Sequence, residues 1–359
     1  ETVPWGQTIR ETWKFLRDHE YFTGIFIWTG FDYRGEPTPF TWPSVSSQFG
    51  IMDTCGFPKD SFFFNKACFT DKPMVHLMPH WNWKKGEQVR VVAVTNCEEA
   101  ELFLNGKSLG RKAADVCDCP EWLVDFVPGR ISVKAYNKGK CVAKAENRTT
   151  GKPAAIKICP VSTQIKNDGH DTAILNFCVV DAKGRIVPTA TNHLKFEVIG
   201  DGIMRGVGNG DPNSHESDIL PERNLFAGWC QMLVMSKMGA EKIKVIATGD
   251  GLESAELELE VLDVEQPNCI FGGKNCDISG FTCSAITEER PDPLVVLSDD
   301  NMNSFTPVGF LDAMYQLDYY GGWRTYRAFI DIPEDGTYEL YLPKVYADEL
   351  EIYVDGKCG

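Results

Sequence analysis

Residues 24–39, GIFIWTGFDYRGEPTP, run from an apolar stretch ending on Trp28 straight into a loop carrying Asp32, Arg34 and Glu36. A short apolar run that opens on glycine and closes on an aromatic ring reads as a buried strand over residues 23–28. In α/β barrels the loops after such strands carry the groups that meet a ligand. Just upstream, TIRETWKFLRDH (residues 8–19) spaces Ile9, Trp13 and Leu16 at i, i+4 and i+7 with charges between them, which predicts an amphipathic helix. A helix followed by a strand apolar on both faces is the unit of a parallel α/β architecture. The strand comes so early that any barrel it belongs to is expected to be incomplete here, with the chain cut at its start.

After Asp71 the pattern turns to β. From Val89 short alternating runs follow one another: VRVVAV, AELFLN, WLVDF and RISVKAY. Asn105-Gly106 between two of them is a hairpin signal, because both residues tolerate positive φ. These runs predict an immunoglobulin-like β-sandwich over residues 84–150. A second sandwich is expected over 151–263, from IKICP, AILNFCVVDA, LKFEVIG, CQMLVMS and KIKVIAT, with turns at 181–184 and 208–211. About seven short strands at this spacing suggest an immunoglobulin-like fold for it. A third β unit over 264–359 holds WRTYRAF (323–329), a turn at Pro333–Gly336, then YELYLPKV and ELEIYVDGKCG. It stops at the hairpin turn Asp355-Gly356 with no partner strand expected, an unpaired edge that points to a cut at this end too. The chain is therefore expected to be mainly β, with residues 1–83 as the last part of a barrel.

Composition narrows the partners. The 359 residues carry a formal charge of -15, which disfavours nucleic acid and anionic membrane surfaces, since phosphate binding needs clustered Lys and Arg. No apolar run approaches the length of a membrane-spanning helix. Glu1-Thr2-Val3-Pro4 lacks the basic and apolar regions of a signal peptide. The 13 cysteines are scattered, without a CxxC pair, so a zinc ribbon or thioredoxin-like centre is not expected. Free buried thiols are one reading, and one or two disulfides near Cys269, Cys276 and Cys283 the other. Asn147-Arg148-Thr149 fits the glycosylation pattern. The compartment stays open, with secreted or periplasmic ahead of cytoplasmic.

Taken together, VPWG (3–6), IWTGFDYRGEPTPF (27–40), SSQFGIMDTCGFPKD (46–60) and HLMPHWNW (76–83) resemble the end of the catalytic barrel of glycoside hydrolase family 2 β-galactosidases. AELFLNGKSLGRK (100–112) resembles the domain that trails that barrel, and GVGNGDP (206–212) the next one. WRTYRAFI (323–330) is similar, more loosely, to a galactose-binding-like jelly roll. The resemblance implies a retaining exo-β-galactosidase with two glutamates about 5 Å apart as nucleophile and acid/base. In the family these follow the fourth and seventh barrel strands, whereas residues 23–28 resemble the eighth. The catalytic pair is thus expected upstream of residue 1, and no catalytic residue is assigned here. Glu1 belongs to the loop leading into VPWG, and Glu36 is expected to fix its loop.

The expected substrate-binding residues are Trp28, Asp32, Trp5 and Gln7. An indole face suits the C–H face of galactose, with core packing as the alternative for Trp28. Asp32 is expected to accept hydrogen bonds from sugar hydroxyls, or else to brace the loop through Arg34. Trp5 and Gln7 are expected at the rim. His76 and His80 are four apart, but Pro79 keeps them off a common helix, so packing is expected rather than metal ligation. No metal and no cofactor is expected. The Asn-x-Lys pair with which family β-glucuronidases hold the sugar carboxylate has no lysine counterpart in Ser46–Gly50, which favours a neutral sugar. The asparagine that supports the sodium site of the larger enteric enzymes is not found either. The expected partners are a β-galactoside, the rest of the same polypeptide and, as an open option, a second copy in a homo-oligomer. The competing reading is a non-catalytic carbohydrate-binding or structural β-sandwich module, with Trp229, Trp323, Tyr319 and Tyr320 as candidate stacking residues.

Overall fold

The computed structural model describes residues 6–264 continuously, and after them 282–284, 287–292, 306–307, 322–328, 340, 350–354 and 357–358. The chain divides into two compact units, Glu1–Pro267 and Asn268–Gly359. The described structure is mainly β.

Helix α1 spans Ile9–Asp18, where the periodicity places it. Thr8 caps it: the threonine hydroxyl accepts from the Glu11 N–H at 3.1 Å while the Glu11 carboxylate accepts from the Thr8 N–H at 2.9 Å, a reciprocal capping box. Trp13 and Ile9 turn toward a small core beneath the helix, and the Trp13 indole N–H donates to the Asn65 side chain at 3.1 Å.

The strand expected over residues 23–28 does not form. Residues 22–27 run as irregular chain, with Phe26 fully exposed and Trp28 74% exposed. A parallel strand draws its backbone hydrogen bonds from neighbours, and among the described residues none lies beside this segment. Backbone pairing begins only at Thr29, whose N–H donates to the Phe49 carbonyl at 3.3 Å.

Helix α2 (Asp60–Phe69) leads into the first sandwich. Its strands are β1 (Val75–Met78), β2 (Gln88–Thr95), β3 (Glu99–Leu104), β4 (Lys107–Ala113), β5 (Glu121–Asp125), β6 (Arg130–Asn137) and β7 (Lys140–Arg148). They form two sheets, in the orders β1-β2-β5 and β4-β3-β6-β7. The first strand thus precedes residue 84, and the sheet reaches back into the segment read as barrel. Leu77, Val89, Val91 and Trp122 from one sheet pack against Leu102, Ile131 and Val133 from the other. Asn105 and Gly106 take φ of 50° and 87° between β3 and β4, as the turn requires. Strand β2 is buried on both faces, because Phe64 and Ala67 of α2 cover Val92 and Val94 on the side away from the sandwich core.

The second sandwich contains β8 (Pro153–Pro160), β9 (Gln164–Lys166), β10 (Thr172–Asp181), β11 (His193–Gly200), β12 (Gly202–Gly208), β13 (Glu222–Asn224), β14 (Trp229–Ser236), β15 (Ile243–Thr248) and β16 (Ala255–Leu262). Its sheets run β12-β14-β10-β8 and β13-β11-β15-β16-β9. All pairings are antiparallel except β9 with β16. Leu175, Phe177, Met232 and Val234 of one sheet face Leu194, Ile243, Val245 and Ala247 of the other.

In the second unit Thr282–Cys283 pairs with Thr306–Pro307 and with Tyr326–Arg327. Tyr353–Val354 pairs with Lys357–Cys358, so the last hairpin has the partner that the sequence reading withheld from it. Cys269, Cys276, Tyr319, Tyr320 and most of the YELYLPKV run lie outside the described residues.

The join between the sandwiches is fixed by Asp181, 3% exposed at the end of β10. Its carboxylate pairs with Arg185 at 2.5 Å and accepts from the Gly151 N–H at 2.7 Å, in the connection between β7 and β8. The Arg185 guanidinium, with the Gly151, Arg185 and Lys183 amides, holds this carboxyl well below the usual range. A carboxyl lowered in the folded state stabilises above its unfolded value, and that stability is lost as pH falls through the folded value. Asp181→Ala is expected to cost about 3 kcal/mol at pH 7, since Arg185 loses its partner. Urea denaturation of both proteins should show that gap closing at pH 3 and below.

Candidate functional site

The site region is a hairpin-like excursion over residues 28–59. Its two arms are tied by the Ile51 N–H to the Thr29 carbonyl (3.0 Å), Asp32 to Met52 (2.9 Å), Ser47 to Tyr33 (2.7 Å) and Gly35 to Val45 (3.0 Å). The tip, residues 36–44, carries Phe40 and Trp42, the latter 77% exposed.

Trp28 stands at the base with its ring in solvent and its orientation set. Its indole N–H donates to the Tyr33 hydroxyl at 3.2 Å, and the two rings meet edge to face at 6.3 Å and 89°. The Tyr33 hydroxyl in turn donates to the Glu36 carboxylate, which raises the phenol pKa. Glu36 therefore fixes its loop from the first residue of the tip. An exposed aromatic face held by a polar relay is suited to stacking on an apolar ring face.

Asp32 faces inward. Its carboxylate side chain is 2% exposed, pairs with Lys59 Nζ at 2.5 Å and accepts from the Gly50 N–H at 2.8 Å. The bracing cation is thus Lys59, whereas Arg34 reaches away to Asp218 at 2.7 Å. A carboxylate so deeply buried presents almost no surface to a sugar hydroxyl in this conformation. Gln7 is exposed ahead of α1, and Trp5 lies outside the described residues. His76 stacks on Phe63 at 3.9 Å and meets Asp60 at 2.7 Å, while His80 stacks on Trp83 at 5.0 Å and burial lowers its pKa. Among the described residues no His, Cys, Asp and Glu side chains group as a metal site. Nine described cysteines are free thiols; burial pushes Cys68 up to about 12 and Cys55 to about 11.

Several residues that shape this region escaped the sequence reading. Asp53 is buried, and its carboxylate accepts from the Cys55 and Phe57 N–H groups at 2.8 and 3.0 Å. Burial raises its pKa despite those bonds. It sits against the turn that follows β12. A Cβ on Gly210, whose φ is 75°, would come within 2.0 Å of the Asp53 carboxylate, and one on Gly208 within 2.7 Å of Cys55 Sγ. Gly-Asn-Gly at 208–210 is the local signal that another segment comes close there. Further along, Pro212 accepts from the Val45 N–H at 2.9 Å, and the His215 ring donates from Nε2 to the Pro43 carbonyl at 2.8 Å. Trp229 packs on Phe57 at 5.6 Å, a partner of the excursion rather than a free stacking face. Arg223, with a 2% exposed side chain, organises the turn from below by donating to Asp218, Asn209 and the Glu216 carbonyl.

A second hollow of about 500 Å³ lies at the join of the sandwiches, lined by His80, Asn82, Trp83, Thr150 and Thr189 among others. Its polar groups serve one another, Asn82 with Thr150 at 2.7 Å and the Trp83 indole with the His80 carbonyl at 2.8 Å.

Two family models match within the chain. Residues 156–258 match glycoside hydrolase family 2 C-terminal domain 5, and residues 86–143 match a domain of unknown function, DUF4982. The chain is 42% identical over 259 residues to the β-galactosidase BoGH2A of Bacteroides ovatus, covering 72% of this chain and 30% of that protein. It is 28% identical to a β-glucuronidase of Formosa agariphila, over 71% of this chain and 26% of the relative. The crystal structure of a β-glycosidase from Bacteroides vulgatus superposes with a TM-score of 0.67 at 33% identity, over 70% of this chain and 33% of that one. The chain thus spans about a third of the length of the relatives it matches.

Two substitutions probe how the excursion is held. Gly210→Ala is expected to destabilise the protein by about 2 kcal/mol or more, since it meets both positive φ and the Asp53 carboxylate. A shift of the denaturation midpoint measures this. For Asp53 the sign is opposite to that of Asp181. A carboxyl raised in the folded state stabilises below its unfolded value, and that stability is lost as pH rises through the folded value. Asp53→Asn keeps an acceptor for both amides, so the variant is expected to gain on the wild type as pH rises above the ordinary carboxylate range in thermal melts.

Proposed function

We propose that this chain, a relative of the family 2 glycosidases, is the C-terminal part of a retaining exo-β-galactosidase that hydrolyses terminal β-galactosides. Trp28 meets the apolar face of the sugar, Gln7 and Trp5 lie at the rim, and Asp32 braces the segment from beneath through Lys59. The nucleophile and acid/base glutamates come from barrel strands outside this chain. In this reading residues 1–83 complete the barrel, the sandwiches are immunoglobulin-like, and residues 264–359 belong to a galactose-binding-like jelly roll.

The observation that carries the reading is Trp28, an exposed indole with fixed orientation, in a chain 42% identical to a β-galactosidase. The neutral sugar is supported by Ser46–Gly50, which carries no lysine where family β-glucuronidases hold the sugar carboxylate, and by Lys59, which pairs with the buried Asp32. Holding a uronate carboxylate would call for a cation with bonding capacity to spare.

The full-length polypeptide is expected to hydrolyse nitrophenyl β-galactoside with a kcat/KM at least about tenfold above that for nitrophenyl β-glucuronide. The isolated chain is expected to hydrolyse neither. A preference for the glucuronide would overturn the substrate, and activity in the isolated chain would overturn the placement of the glutamates. Trp28→Ala in the full-length protein should lower kcat/KM by about 100-fold, or about 3 kcal/mol of transition-state stabilisation, with little change in melting temperature.

A further inference from the structure

The turn of the second sandwich does more than close one domain. Asp218 pairs with Arg34, on the arm that carries Trp28, through the same guanidinium nitrogen at 2.7 and 2.9 Å. His215 touches the tip twice, donating to the Pro43 carbonyl at 2.8 Å and lying 4.2 Å from the Trp42 ring. Pro212 holds the returning arm through the Val45 N–H at 2.9 Å. Glu36, at the start of the same tip, anchors the Tyr33 hydroxyl and through it the Trp28 indole. The contacts form a continuous path from the turn, through the tip, to the exposed ring.

We propose that residues 208–218 are the positioning element of the sugar site, with His215 and Asp218 acting through the 28–47 excursion to set the orientation of Trp28. The proposal rests on Trp28 meeting the sugar. His215 and Asp218 touch no reacting atom; they are positioning residues. The physical ground is economy of freedom: a ring on an untethered excursion would lose conformational entropy on binding, whereas a tethered one has lost it on folding. His215 lies exposed at the surface, so removing its ring leaves the sandwich core untouched, whereas Asp218 also pairs with the buried Arg223 at 3.1 Å, so its tether is cut from the Arg34 side.

The test uses the full-length polypeptide and whichever aryl glycoside, galactoside or glucuronide, the wild type hydrolyses. His215→Ala, and Arg34→Ala, which cuts the tether to Asp218 while leaving Asp218 on Arg223, are each expected to lower kcat/KM about tenfold while the melting temperature stays within about 2 °C. His215→Gln, which keeps a donor for the Pro43 carbonyl, is expected to recover most of the loss. Lys244→Ala, which removes an ion pair with Glu256 at 2.8 Å elsewhere on the same sandwich, is expected to change nothing. The deciding readout is a double-mutant cycle: in a Trp28→Ala background, His215→Ala should cost nothing further, because its effect passes through that ring. Unchanged kcat/KM in both single variants, or full additivity with Trp28→Ala, overturns the proposal while leaving the glycosidase reading intact. A wild type that hydrolyses the glucuronide overturns the galactoside assignment and leaves the positioning to be read on that substrate. A wild type active on neither overturns both.

Discussion

The contact between Asp53 and Gly210 is the constraint from which the arrangement of the site region follows. A carboxylate pressed against a backbone leaves no room for a side chain, so the approach of the two segments is set by the absence of a Cβ. Once it is made, Cys55 and Phe57 are carried onto β12 and β14, and the arms of the excursion take their register from there. On the other side α2 continues directly from Lys59 and packs Phe64 and Ala67 onto β2. The excursion is therefore held between two β-sandwiches, having no sheet of its own. Its buried charges obey the same logic: Asp32 is balanced by Lys59, and Asp53 by two amides.

How much of this was legible in the sequence varied with the range of the interactions involved. Helix α1 follows from the spacing of Ile9, Trp13 and Leu16, and the β3–β4 turn from Asn105-Gly106, because both signals are local. The long strands β2 and β10 follow from apolar runs buried on both faces over much of their length, and β14 from an apolar run whose alternate residues enter the core. Strand β12 is not legible, since GIMRGVG carries three glycines in seven residues and so reads as turn. Strand β16, by contrast, carries its signal in the sequence, since AELELEVL alternates cleanly.

The Gly24–Trp28 run shows the opposite failure. Its composition encodes burial on both faces, yet a strand is defined by its neighbours, and the described residues supply none. The site divides in the same way. Trp28 could be picked out because one aromatic ring at the end of an apolar run is a local feature. His215 and Asp218 could not, since their partners Pro43 and Arg34 are 172 and 184 residues away in sequence. Only the glycines at 208 and 210 hinted that something comes close. Asp32 is legible as an acidic group in a loop, but nothing local tells that Lys59 claims it.

The parallel pairing of β9 with β16 bears on how the protein is made. Gln164–Lys166 waits for Glu260–Leu262, so the five-stranded sheet has an open edge until nearly a hundred further residues have been synthesised. The first sandwich, complete by Arg148, can fold while the ribosome is still adding the second. The turn at 208–218 lies within that delayed domain, and the excursion it grips was synthesised long before. Residues 28–59, with their exposed aromatic rings, therefore spend the interval without the surface that restrains them. During that interval they are a ready target for chaperones and for premature association.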